Sequence, residues 1–147
     1  MNWSIKKFKE LNGEEVYKIL ELRNEVFIVE QECAYLDCDS KDKNSYHLFT
    51  EKNGEIIAYL RILEKGVSYD EMSIGRVAVH KNYRGKGISR DMMIKAIDFI
   101  EHNLNENEIK IQAQSYLINF YESLGFDKIS NVYLEDNIPH IDMLYKK

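Results

Sequence analysis

Proline is nearly missing from this 147-residue chain, with Pro139 standing alone, and glycine occurs only 7 times. So little of either, beside 44% hydrophobic residues, excludes a collagen-like repeat and argues against a disordered or low-complexity chain. Cysteine is scarce as well. Cys33 and Cys38 are too few for a disulfide framework and read as reduced thiols of a cytoplasmic protein. They lie near Asp37, Asp39 and His47 but lack C-x2-C spacing and a second pair, so no metal is expected. No apolar run approaches the ~20 residues that cross a bilayer. The opening Met1–Phe8 has no long apolar core and no small-residue cleavage site, so neither membrane attachment nor an export leader is expected. There is no surplus of positive charge either. With 25 acidic residues against 20 basic ones the net charge is −5, which makes nucleic acid a poor partner.

What is present reads as one domain over residues 1–147, without linkers or internal repeats. Residues 3–8 alternate like a half-buried strand. Asn12 and Glu15 have capping-box spacing ahead of Val16, Ile19, Leu20, Val26 and Phe27, which predicts an amphipathic helix ending near Val29. Residues 30–45 read as a polar, acidic loop. Strands over 46–52 and 55–63 flank Asn53-Gly54, a strong hairpin signal, and a third strand covers 73–80. From Ile88 to Ile100 apolar residues recur at helical spacing. A strand follows at 108–113, then a short helix with Leu117, Phe120, Tyr121 and Leu124 on one face, closed by Gly125. Strands at 126–134 and 138–145 complete a mixed α/β layered domain.

The stretch richest in chemistry runs from Ile74-Gly75-Arg76-Val77-Ala78-Val79-His80 into Tyr83-Arg84-Gly85-Lys86-Gly87-Ile88-Ser89. A buried strand enters a basic, glycine-rich turn that opens directly into a helix. Amide groups at a helix start lack partners and, with the helix dipole, favour an anion. Gly85 and Gly87 permit close backbone approach to a phosphate, and Arg84 and Lys86 add positive charge. No Gly-Lys-Ser/Thr closes the loop as in a Walker A motif, and Ser89 stands where a Rossmann fingerprint needs glycine. On these residues alone, an ordinary strand–turn–helix connection with exposed bases is the alternative.

Arg84-Gly85-Lys86-Gly87-Ile88-Ser89 resembles the Q/R-x-x-G-x-G/A loop of the GNAT superfamily of acetyltransferases, and Asn119–Phe126 resembles its FYxxxGF segment. Leu22–Asp37, Ile74–Val77 and Glu135–Ile141 narrow the resemblance to the ElaA-like branch. The chain departs from the pattern at Ser89, in the last Gly/Ala slot, and at Gln114, where many members have asparagine. The resemblance implies an α/β fold with a mixed, mostly antiparallel central sheet and flanking helices, an acyl-CoA N-acyltransferase fold. It implies acetyl-CoA as cosubstrate, held by Val77, Ala78 and Val79, by Arg84, Gly85, Lys86, Gly87, Ile88 and Ser89, and by Asn119 and Phe120. Strands four and five of that fold splay, so a backbone N–H faces the thioester carbonyl. Tyr121 matches the tyrosine that often protonates the departing thiolate; on periodicity alone it reads as packing.

The implied activity is transfer of acetyl to a primary amine on a small molecule or peptide, and homodimers are common in such families. Glu30 falls where the superfamily often builds its acceptor site, which makes it the candidate base. With Glu32, Asp37, Asp39 and Asp42 it forms an acidic stretch that reads either as a rim attracting a cationic amine or as a solvated loop. His140, between Pro139 and Ile141, is a candidate for the acceptor pocket or a hydrogen-bonded structural residue. Direct transfer is expected, without an acetyl-cysteine; Cys33 would need a nearby base such as His47. Two other readings stand beside the enzyme: a non-catalytic acyl-CoA-binding module, and an interaction domain whose acidic 30–42 segment docks a basic partner.

Overall fold

Asn12 caps the first helix as its spacing with Glu15 predicts: Asn12 Oδ1 accepts from the Glu15 amide at 2.8 Å, and the Glu15 carboxylate accepts from the Asn12 amide at 3.0 Å. The computed structural model describes all residues 1–147. Its strands are β1 (Trp3–Lys7), β2 (Ser45–Lys52), β3 (Glu55–Leu63), β4 (Met72–Val79), β5 (Glu108–Gln114), β6 (Phe126–Lys128), β7 (Tyr133–Glu135) and β8 (Ile138–Lys146). Its helices are α1 (Gly13–Arg23), α2 (Ile88–His102) and α3 (Ile118–Ser123). One sheet runs β1-β2-β3-β4-β5-β8-β6, with β7 paired to β8 off that path. Every pairing is antiparallel except β4 with β5. No helix is long and apolar enough to cross a membrane.

The sheet is covered on both faces. Met92, Met93, Ala96 and Ile100 of α2 are fully buried and share the larger core with Leu60, Ile62, Ile109 and Met143. On the opposite face Ile19, Leu22 and Val26 pack on Phe49, Tyr59 and Ala78. The β2–β3 hairpin turns at Asn53 and Gly54, whose φ values of 54° and 79° suit the right-handed strand twist.

Two elements differ from the sequence expectation. The first helix is α only to Arg23; Asn24–Glu30 continues as a wider π turn, a departure the apolar periodicity does not register. The strand expected over 126–134 is two strands. β6 pairs with 143–145 of β8, and β7 pairs with 138–140. The break is a register step on β8: residues 129–132 stand between β6 and β7 where β8 has only Ile141 and Asp142. Ser130 Oγ takes the Asp142 amide at 2.9 Å within this bulge, while Asp136 and Asn137, at φ 52° and 61°, turn β7 into β8.

Residues 31–40 form a strap, running from a turn at Gln31-Glu32 to Ser40 at φ 69°, whose odd-numbered side chains turn inward although its backbone joins no sheet. Three arginines hold it. Arg23, fully buried, donates from Nε to Asp37 at 2.9 Å, from Nη1 to Asp42 at 2.8 Å and from Nη2 to the Asp37 carbonyl at 2.9 Å. Arg61 grips Asp39 with both terminal nitrogens, at 2.8 and 2.7 Å, and reaches Asp42 at 3.0 Å. Arg76 Nε sits 2.8 Å from Asp37, close enough to pair as charges though out of line for a hydrogen bond. Beneath them His47 Nε2 faces the Asp42 carbonyl at 2.9 Å, so it carries the proton, and the Tyr59 hydroxyl donates to Nδ1 at 2.7 Å.

Burial alone would raise the carboxyls of Asp39 and Asp42, but the arginines outweigh it and hold both below the usual range. Asp42→Ala should cost about 3 kcal/mol in equilibrium unfolding, the low end for breaking a buried pair, because Arg23 keeps Asp37 and Arg61 keeps Asp39. Burial pushes the His47 imidazole down. A depressed group contributes stability that is complete above its unfolded value, ~6.5 for histidine, and is lost as pH falls through the folded value. The denaturation midpoint should therefore drop between pH 7 and pH 5, with a second loss below pH ~4 as the aspartates protonate. His47→Gln should lower stability at pH 7 and flatten the first drop; an unchanged slope would remove His47 as its source.

Candidate active site

β4 and β5 are paired only at Met72–Ile109 and Ser73–Lys110, after which they splay. The edge of β4 from Ile74 to Val79 facing β5 has no strand partner. β4 is also bulged against β3: the register steps from Tyr59–Ala78 to Arg61–Gly75, and Arg76 takes φ 52°. A non-glycine residue at positive φ is strained unless its surroundings hold it. Here they do, since the Arg76 side chain lies against Asp37 and 5.3 Å above the Tyr35 ring. The splay opens a cleft of about 970 Å³ that runs from Arg84 and Ser89 past Val77 and Tyr121 to Tyr69 and His140.

At one end of the cleft the turn before α2 presents its backbone. Gly85 and Gly87 both have φ 78°, and α2 starts without a side-chain cap. The amides of residues 85–90 donate to no acceptor in the chain, which leaves a cluster of N–H groups at the positive end of a helix. They line a smaller hollow of about 180 Å³ with Gly85, Gly87, Ile88, Ser89 and Phe120. The bases are less free than the sequence suggests. Arg84 donates from Nε to the Val79 carbonyl at 2.9 Å and pairs through both terminal nitrogens with Glu30. Lys86 lies 5.5 Å from the Tyr83 ring.

Tyr121 of α3 is 6% exposed, packed edge-on against Phe120 and Phe126, and its hydroxyl bonds to no protein group. Burial pushes its phenol upward, so it is protonated at neutral pH. Asn119 is on the outer side of the same helix and does not line the cleft, whereas Phe120 does. Glu30 lines the cleft, but the Arg84 guanidinium holds its carboxyl below the usual range. Ionised and bonded, it is a weak proton acceptor.

The acidic rim expected over 30–42 is largely neutralised, because Asp37, Asp39 and Asp42 are paired with Arg23, Arg61 and Arg76. Cys33 lines the cleft with its thiol 3.6 Å from the Asp136 carbonyl. His47 is not beside it, both ring nitrogens being engaged in the buried network. His140 does reach the cleft. Sequence reasoning missed Arg61 and Arg76 as site-forming residues, and Gln31, which accepts from Gln114 at 3.3 Å across the strap. A charge inside the apolar run Tyr59-Leu60-Arg61-Ile62 was the one available signal.

Residues 9–147 match the family model described as an acetyltransferase (GNAT) domain. The protein ElaA of Escherichia coli is 37% identical over 145 residues, covering 97% of this chain and 95% of the relative, and a UPF0039 protein of Synechocystis is 38% identical over 147 residues, covering 99% and 96%. The crystal structure of Escherichia coli ElaA superposes with a TM-score of 0.92 at 36% identity, covering 99% of both chains. That of an acyl-CoA N-acyltransferase from Pseudomonas aeruginosa gives 0.92 at 34%, again covering 99% of both. The sheet split between β4 and β5, the open turn before α2 and these matches agree: the chain belongs to the GNAT acetyltransferase family, on its ElaA-like branch.

Proposed function

We propose that the protein transfers acetyl from acetyl-CoA directly to a primary amine. The observation that carries this reading is the splay of β4 from β5 leading to a turn with unpartnered amides. Together they form one continuous cleft with a hydrogen-bonding edge for an extended pantetheine arm and a seat for its pyrophosphate. The seat works through backbone amides and the dipole of α2 more than through Arg84, whose charge Glu30 offsets. Glu30 is assigned to holding Arg84, and through it the Val79 end of β4, rather than to proton transfer.

In this reaction the amine nitrogen attacks the thioester carbonyl carbon, whose oxygen takes a hydrogen bond from the free edge of β4 next to the bulge. The C–S bond breaks as the tetrahedral intermediate collapses, and Tyr121 protonates the sulfur. A phenol raised by burial is a reluctant acid, but it stays protonated at every working pH and no protein group competes for its hydrogen. A non-catalytic acyl-CoA-binding module would use the same turn without needing Tyr121 on the cleft wall. The interaction-domain reading loses its basis, because the acids of the strap face arginines inside the chain.

Gly87→Val tests the coenzyme seat. A Cβ at Gly87 meets no protein atom within 4 Å, so the fold should survive with some strain at φ 78°, while a branched side chain intrudes on the phosphate position. Titration calorimetry should show acetyl-CoA affinity falling by more than tenfold in a folded variant; unchanged affinity would remove the seat from this turn. Tyr121→Phe tests the enzyme reading. The ring contacts are kept, so acetyl-CoA affinity should hold while kcat falls by about 10²-fold, the lower end for general acid catalysis because a thiolate leaves readily. The deficit should shrink for acyl donors with more acidic thiols, and a wild-type rate across that series would make Tyr121 a packing residue.

A further inference from the structure

The transfer reaction, taken as read above, requires a neutral amine, and so a group that accepts its proton. The carboxylates of the strap and its ends do not qualify: Asp37, Asp39 and Asp42 are bound to arginines, Glu30 is bound to Arg84, and Glu32 is exposed and does not line the cleft. We propose that His140 is the general base, acting through Nε2 with its ring orientation set by Ile138 and Tyr133. His140 Nδ1 lies 2.7 Å from the Ile138 carbonyl. A carbonyl can only accept, so Nδ1 carries the hydrogen and the lone pair is on Nε2. Nε2 has no partner in the chain, and the residue lines the cleft. His140 stands opposite Gln114 in the β5–β8 register, on the stretch of β5 that has parted from β4. Its ring is therefore carried on the wall of the opening rather than on a mobile tip.

The ring plane is fixed from behind. Tyr133 stacks on it with centroids 6.4 Å apart and an interplanar angle of 27°. The Tyr133 ring is itself anchored, its hydroxyl donating to Asp142 and accepting from Gln112 Nε2 at 2.9 Å. The titratable groups on the elements packed around His140 are Tyr133, Glu135 and Asp136 of the β7–β8 hairpin, Asp142 on its own strand and Cys33 of the strap; Lys110, further along β5, is turned to the Tyr69 ring at 4.6 Å. The acids of the hairpin suit an amine that arrives as an ammonium ion. No other histidine is placed to serve. His47 is enclosed, His80 accepts the Asn82 amide at Nδ1, which leaves its hydrogen on Nε2, and neither His80 nor His102 lines the cleft.

The protons balance. The ammonium gives one proton to His140 Nε2, which passes it to solvent, and the amine lone pair forms the C–N bond. The second N–H proton leaves through the same nitrogen as the C–S bond breaks, and the thiolate takes its proton from Tyr121, which is reprotonated from solvent. Tyr133 is a positioning residue in this scheme.

The test compares wild type, His140→Asn, His140→Gln and Tyr133→Leu with acetyl-CoA and a panel of amines of graded basicity. For the amine the wild type acetylates, both His140 variants should lose about 10²–10³-fold in kcat/KM, keep acetyl-CoA affinity within twofold, and lose the acidic limb of the pH profile. The loss should shrink for weakly basic aromatic amines, which arrive already neutral. Tyr133→Leu should lower kcat more than it raises KM. Nitrogen-15 NMR of the imidazoles supplies a readout that needs no turnover: His140, assigned by its absence from the Asn variant, should show hydrogen on Nδ1 and a lone pair on Nε2. The opposite tautomer, or His140 variants with wild-type rates and pH profile, overturns the proposal. A wild type that binds acetyl-CoA yet acetylates no amine overturns the transferase reading, and the base with it, whereas activity that survives in the His140 variants overturns the base alone.

Discussion

Three arginines and three aspartates hold together the part of the molecule on which the cleft depends. The strap over 31–40 alternates inward and outward side chains, yet no neighbouring strand satisfies its backbone. Its position comes from Asp37, Asp39 and, just beyond it, Asp42, each gripped by a guanidinium from α1, β3 or β4. Arginine suits the task because a planar fork of donors can hold two carboxylates, or a carboxylate and a carbonyl, in one geometry. Such a network is weak evidence for net stability, since desolvating six charges offsets much of the attraction. What it secures is placement: Arg76 cannot relax from positive φ without leaving Asp37, and the bulge in β4 persists.

The bulge and the splay then divide the labour of the cleft. The parallel pairing of β4 and β5 stops after two residue pairs, which frees one edge of β4 from Ile74 to Val79. The bulge turns that edge toward the opening, and the start of α2 sets a cluster of free amides at the far end. Most side-chain charge along the cleft is paired within the protein, so the backbone presents the unsatisfied polar groups. A seat built from backbone groups, as proposed for this turn, would tolerate Ser89 in a position that related loops fill with glycine or alanine, because the amide there is unchanged by the side chain.

Much of the fold was legible because local rules and tertiary packing agree. Asn12 with Glu15, Asn53-Gly54, and the helical spacing from Ile88 to Ile100 each name an element that the tertiary structure keeps. The turn before α2 was legible as a helix start with two glycines, and both glycines have the positive φ that such a turn requires. Legibility failed where side chains from distant elements decide the outcome. The acids of 30–42 read as a charged rim because Arg23, Arg61 and Arg76 lie on three separate elements, and nothing in the local sequence announces their convergence. The pairing of Glu30 with Arg84 was hidden for the same reason, the two lying 54 positions apart. The split of the strand over 126–134 is a register step at 129–132 against β8, which hydrophobic alternation does not record.

The proposed function requires acyl-CoA to lie in the gap between β4 and β5 with its thioester at the bulge. A crystal structure of the protein with acetyl-CoA tests this most directly. It should show the pyrophosphate on the amides of residues 85–90, the pantetheine arm along β4, and the thioester oxygen within hydrogen-bond distance of a β4 amide between Gly75 and Val79. The acetyl carbon should lie between Tyr121 and His140. A coenzyme bound elsewhere, or a thioester pointing away from β4 with the turn before α2 unoccupied, would contradict the account.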